Sequence, residues 1–112
     1  MAIAGPLQIE SQLEGGRGRL TLEGELDIAT IPRLDAAVDA LLEHGPRELA
    51  VDLRPLGFLD SSGLRAFILL ADRANEEGWA LKLVRPQKPV LAIFQITRAE
   101  ENLPFVDEPP PL

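Results

Sequence analysis

The stretch "ELAVDLRPLGFLDSSGLRAF", residues Glu48 to Phe67, decides the fold of this chain. It begins with "ELAVDL", a compact apolar run with the character of a strand covered on both faces. "RPLGFLD" follows, with Pro55 and Gly57, and reads as a connection. From Ser61 the apolar period lengthens to three and four. Leu64, Phe67, Ile68, Ala71 and Ala74 then share one face of a helix that runs to about Glu77, and Gly78 closes it. A buried strand that feeds a helix through a short loop is the elementary step of an α/β domain.

Upstream, "LQIESQL" and "RLTLEGEL" alternate apolar with polar residues and place Leu7, Ile9, Leu20 and Leu22 on buried faces. "EGGRG" between them, with Gly15, Gly16 and Gly18, permits a tight reversal, so a β-hairpin is expected, with Gly24 ending the strand pattern. Ile31, Leu34, Val38, Leu41 and Leu42 then recur at helical spacing. Thr30 is a suitable N-cap, Pro32 lies in the first turn, and "HGP" at 44–46 is a stop. Downstream, "WALKLV" predicts a strand, "PVLAIFQI" a short helix opening near Pro89, and "LPFVD" a last short strand. The order β-β-α-β-α-β-α, with that final strand, describes one α/β domain. Its mixed central sheet has four to five strands, and about three helices pack on it.

Composition narrows the function. A chain of 112 residues has the size of one domain. It contains no cysteine, which removes disulfides, thiol catalysis and cysteine-ligated zinc together. The N-terminal "MAIAGPLQIE" has neither the basic region nor the apolar run of a signal peptide, and no stretch suits a membrane span. A formal charge of −7 disfavours direct nucleic-acid binding, because displacing counterions from phosphates requires basic groups. It suits a soluble protein, and partners that present positive charge.

Sites for catalysis are scarce. His44 is the only histidine, and at a helix C-terminus its structural role suffices, so no metal site is expected. "EGGRGRL" lacks the Lys-Ser/Thr of a phosphate loop and precedes a strand instead of a helix. "LDSSG" is not a nucleophile elbow. Asp52 ends a strand as a phospho-acceptor aspartate would, but the first strand brings no magnesium-binding acids. No catalytic residue and no cofactor are expected.

That leaves Asp60-Ser61-Ser62-Gly63 at the head of the second helix. Its ordinary reading is a cap, since an Asp or Ser oxygen accepts an otherwise orphaned N–H. An acidic counterpart, "GELD" at 24–27, follows the second strand.

The combination "LEGELDIATIPRL … ELAVDLRPLGFLDSSGLRAF" resembles the STAS domain family, specifically its stand-alone bacterial anti-sigma-factor antagonists. The resemblance spans residues 1–106 and leaves 107–112, "DEPPPL", as a flexible Pro-rich tail. It implies a single-domain STAS-like fold and a cytoplasmic, non-catalytic regulator in bacterial transcription. In such proteins a serine kinase that is also the anti-sigma factor phosphorylates the serine after the motif's aspartate, here Ser61. A PP2C-type phosphatase reverses the modification. The unphosphorylated form binds the anti-sigma factor and frees the sigma factor.

By the same resemblance Asp27, Asp60, Ser62, Gly63, Leu64 and Arg65 would contact the partner. Gly63 would leave room for its backbone. Asp27 serves equally well as a capping acid, Leu64 as core and Arg65 as solvated surface. "ITRAEEN" replaces the glycine-containing ending of the third helix in many members, and the C-terminal helix of some antagonists is missing. The alternative is a constitutive scaffold, or a soluble subunit of a transport assembly, without a phospho-switch.

Overall fold

A computed structural model describes residues 6–112, so the first five residues of the stretch read for a leader segment lie outside it. The elements are β1 (Gln8–Glu14), β2 (Arg17–Leu26), α1 (Ile31–Leu42), β3 (Glu48–Asp52), β4 (Leu56–Leu59), α2 (Ser61–Glu77), β5 (Ala80–Val84), α3 (Lys88–Ile96) and β6 (Phe105–Val106). One turn of 3-10 helix, Ala99–Glu101, precedes β6. The sheet is mixed, as the element order requires. β1 and β2 form the antiparallel hairpin, and β3, β5 and β6 add in parallel in the order β1-β2-β3-β5-β6.

The sheet has six strands, against the four to five expected. The additional strand is β4, which the sequence suggests is a connection. β2 is long enough to pair twice: Arg17–Thr21 with β3, then Gly24–Leu26 with β4. Gly24 does not end β2. Its φ of 103° lies in the left-handed region open to glycine, and the register shifts between Gly24 and Glu25, so a bulge re-aims the strand toward β4.

On β2 the even-numbered residues Leu20, Leu22 and Leu26 are buried, and they face the helices. They join Leu49, Val51, Leu81 and Leu83 from the neighbouring strands and Leu34, Val38, Phe67, Leu70 and Phe94 from the helices in one core. Phe94 meets Phe67 at 6.3 Å between centroids and stands edge-on to Phe105 at 5.1 Å, tying α3 and β6 into that core.

The predicted bounds of α2 hold, and its buried stripe is Gly63, Phe67, Leu70 and Ala74. Ile68, expected toward the core, is instead exposed, because "AFILLA" carries apolar residues on both sides of the helix and Leu70 takes the buried place. Residues 107–112 form neither helix nor strand, yet they lie against the sheet instead of extending free. The carbonyls of Pro110 and Pro111 accept hydrogen bonds from Arg19 and Arg17.

Candidate functional site

β2 and β4 end side by side. Leu26 and Leu59 are paired in register, and the Asp60 N–H donates to the Leu26 carbonyl at 3.3 Å. The residue after each strand is an aspartate: Asp60 opens α2, and Asp27 opens the turn that leads into α1. Carboxyl ends of parallel strands are where α/β sheets commonly expose their functional loops.

Asp60 is the N-cap of α2. Its backbone is extended, its Oδ1 accepts the Gly63 N–H at 2.9 Å, and its carbonyl accepts the Leu64 N–H at 3.0 Å. The cap that the Asp-Ser-Ser-Gly stretch suggests is therefore Asp60. Ser61 is the first residue of the helix and is exposed, whereas Ser62 is half-buried. The N–H groups of both serines find no acceptor among the described residues. They leave the helix end with free donors and its partial positive charge.

Thr30 is the N-cap of α1, as expected, and Asp27 braces the turn that leads into it. The Asp27 Oδ1 accepts the N–H groups of Ala29 at 2.9 Å and Thr30 at 3.1 Å. The Thr30 hydroxyl turns back instead, donating to the Glu25 carbonyl at 3.0 Å and accepting from the Asp27 N–H at 3.0 Å. Thr30 makes no side-chain cap of its own.

The room at Gly63 is taken up within the molecule. A Cβ there would stand 2.4 Å from Leu59 Cδ1 and 3.0 Å from the Leu26 carbonyl, so the missing side chain lets α2 pack onto the ends of β2 and β4. Gly63 is buried, not open to an approaching backbone as expected. Leu64 is half-buried against the core and helps line a cleft of about 370 Å³ that also includes Ile68 and Leu103. Arg65 is exposed one turn on from Ser61, on the same side of α2.

Two apolar side chains that sequence reasoning passed over flank these acids and serines. Ile28, next to Asp27, is 75% exposed, and Phe58, two residues before Asp60, is 44% exposed. The available signal was their position, since each sits beside a polar motif and outside any core-facing period.

Asp52 is engaged elsewhere. It is buried at the end of β3 and receives Arg54 in a fork, Nε to Oδ1 at 3.0 Å and Nη2 to Oδ2 at 2.8 Å, with the Arg54 N–H at 3.1 Å. Burial pushes its carboxyl up, but the hydrogen bonds and charge of Arg54 outweigh it and hold the group below its ordinary value. No group of three or more His, Cys, Asp or Glu side chains that could hold a metal occurs among the described residues. Nor, among them, is any helix long and apolar enough to cross a membrane.

The family described as "Mlab, STAS domain" matches residues 9–106, and the chain belongs to this STAS family. Its relatives include the anti-sigma-B factor antagonist of Staphylococcus aureus (strain NCTC 8325 / PS 47), 26% identical over 91 residues, which cover 81% of this chain and 84% of the relative. The corresponding protein of Staphylococcus epidermidis is 25% identical over the same coverage.

Among solved structures, an anti-sigma factor antagonist from Mycobacterium paratuberculosis superposes with a TM-score of 0.80 at 22% identity, covering 95% of this chain and 92% of that one. The anti-sigma factor antagonist SpoIIAA in its unphosphorylated form gives 0.75 at 18% identity, covering 91% and 89%. The Bacillus cell fate determinant SpoIIAA in the phosphorylated form gives 0.67 at 19%, covering 92% and 91%. These likenesses establish a shared fold.

Proposed function

We propose that the protein is a non-catalytic antagonist of an anti-sigma factor, switched off by phosphorylation of Ser61. The observation that carries this reading is the position of Ser61, the exposed hydroxyl at the head of a 17-residue helix, directly after its capping aspartate. Similarity to anti-sigma-B factor antagonists supports the choice of partner. In the unphosphorylated state the surface formed by Asp27, Ile28, Phe58, Asp60, Ser61 and Arg65 docks on an anti-sigma factor that is also a serine kinase, and the sigma factor is released. Ser62 and Leu64, both half-buried, support this surface from behind.

The kinase transfers the γ-phosphoryl group of ATP to Ser61 Oγ. The hydroxyl loses its proton and ADP leaves. A phosphoserine brings about −1.5 to −2 charges and three acceptor oxygens. The N–H groups at the start of α2 and the helix dipole favour that charge, so the helix survives modification. What changes is the surface: a dianion beside Asp60, close to the neighbouring strand end that carries Asp27, opposes docking by repulsion and desolvation. A penalty of ~3 kcal/mol weakens binding roughly a hundredfold. A PP2C-type phosphatase resets the switch, and the cycle operates in the cytoplasm.

Incubating the protein with its candidate kinase and ATP, followed by mass mapping, tests this directly. One phosphate on Ser61, absent from Ser61→Ala, is the expected result. If Ser61 stays unmodified and the protein still binds its partner, the alternative of a constitutive STAS scaffold or transport-assembly subunit takes its place.

A further inference from the structure

The sheet has a second face, and none of the helices among the described residues packs on it. Contacts place the helices on the side of Leu20, Val51 and Leu83. A Cβ at Gly18 would touch Leu41 of α1, Gly63 of α2 sits against Leu26, and Phe94 of α3 packs on Phe105, the register partner of Leu83. The alternate residues face the other way: Arg19, Ala50 and Lys82 in one register row, Thr21, Asp52, Val84 and Val106 in the next. Ala50 at 4%, Asp52 at 5% and Val84 at 0% exposure are nevertheless buried, and Ala50 and Val84 stand outside the main core.

A further segment of the same chain reaches this face. Arg85 Nε donates to Asp107 Oδ1 at 3.2 Å just beyond β6. Three strands away, Arg19 Nη2 donates to the Pro110 carbonyl at 2.7 Å and Arg17 Nη1 to the Pro111 carbonyl at 2.9 Å. Crossing from β6 to β2 takes three strand spacings, about 14 Å. Four residues of polyproline II backbone span about 12 Å, and the arginine side chains close the remainder. Three consecutive prolines favour that extended form and carry no N–H, so only carbonyls need partners, and arginine supplies donors alone. Arg17 is steadied by Glu48 at 3.4 Å, and the buried Nε of Arg19 has no acceptor, leaving its terminal nitrogens to make its contact.

We propose that the helix-free face of the sheet is a binding site for an extended proline-rich peptide, read by Arg17 and Arg19 through its carbonyls. Asp107–Leu112 occupy it in cis as a strap. A proline-rich segment of another protein then binds by displacing the strap. The site is distinct from the Ser61 surface and does not depend on phosphorylation.

Because the chain has no cysteine, Leu112→Cys gives the full chain one attachment point for a nitroxide. The amide signals of Arg17–Thr21 are expected to broaden in this labelled chain. They should recover when the hexapeptide DEPPPL is added in excess, and also in the labelled chain carrying Arg17→Gln and Arg19→Gln. A mixture in which label and isotope reside on different molecules should show no broadening. Absence of broadening in the labelled chain overturns the proposal, as does broadening unmoved by the peptide. Broadening in the mixed sample overturns the cis assignment, since the strap would then be exchanged between copies.

Discussion

Asp27 and Asp60 occupy equivalent places on adjacent parallel strands: each follows one member of the register pair Leu26–Leu59, Asp60 capping α2 and Asp27 bracing the turn that leads into α1. The acids suggested by "GELD" and "FLDSSG" are thus structural first, anchoring two helix starts at one edge of the sheet. Any partner that reads this edge reads a helix cap and a turn.

The two aspartates should differ in weight. Asp60→Ala removes one acceptor and is expected to cost about 1 kcal/mol, with Asp60→Asn close to neutral. Asp27→Ala removes the side-chain acceptor of the exposed Ala29 N–H, while the Thr30 N–H keeps the Asp27 carbonyl at 3.1 Å, so it should cost less, about 0.5 kcal/mol. Urea denaturation of the four proteins, the unmutated chain included, measures both. A loss at Asp27 larger than at Asp60 would contradict the hydrogen bonds described.

Gly63→Ala tests the packing of α2 on the strand ends. In an exposed helix this change would gain about 1 kcal/mol from helix propensity. Here the new Cβ would stand 2.4 Å from Leu59 Cδ1, inside a buried core, and 3.0 Å from a main-chain oxygen. Overpacking of this kind costs about 1–3 kcal/mol, so a net loss is expected. Pairing Gly63→Ala with Leu59→Ala should show positive coupling in a double-mutant cycle, because the second change removes the first clash.

What the sequence made legible follows from where its signals are local. The bounds of α2 were readable because its cap, Asp60, and its left-handed Gly78 are both written beside it. β4 was not, because four residues between Pro55 and a cap carry no period, and its pairing exists only through the bulge at Gly24. Ser61 stood out by its neighbours. Ile28 and Phe58 did not, since exposure depends on which strand ends the fold brings together. The contact of 107–112 with Arg17 and Arg19 joins residues more than 90 apart, which no local pattern records.

The Asp52–Arg54 pair predicts how stability varies with pH. The carboxyl of Asp52 is lowered in the folded state, so its contribution is fully present above the unfolded value near 3.8 and is lost as pH falls through the folded one. The pair should therefore matter little to the pH dependence between pH 5 and 7 and should be lost only in acid below about pH 4. Arg54→Ala leaves burial unopposed by its partner, and the Asp52 carboxyl should then titrate higher, by carboxyl-carbon NMR, than in the unmutated chain. Arg54 is half exposed, so the loss at neutral pH falls below the range for a fully buried pair, to about 1–2 kcal/mol. A carboxyl that titrates the same with and without Arg54 would rule out the pairing as the cause of the shift.

The proposed switch requires that stability and binding respond separately at Ser61. Ser61→Asp places a carboxylate at the first position of α2, where the helix dipole contributes about 0.3–1 kcal/mol in its favour. The variant should be as stable as the unmutated chain or slightly more so, while its affinity for the anti-sigma factor falls, toward the roughly hundredfold effect proposed for the phosphate. Ser61→Ala should keep both stability and affinity but accept no phosphate. The exposed apolar residues supply an independent measure. Ile28→Ala and Phe58→Ala should each weaken binding by about tenfold, as truncating an apolar side chain buried in an interface costs ~1–2 kcal/mol, with the larger effect at the aromatic. Calorimetric titration with the anti-sigma factor reads all four affinities on one scale. If Ser61→Asp binds as tightly as Ser61→Ala, charge at this position does not control docking. If only the two apolar truncations weaken binding, the surface is an interface without a switch.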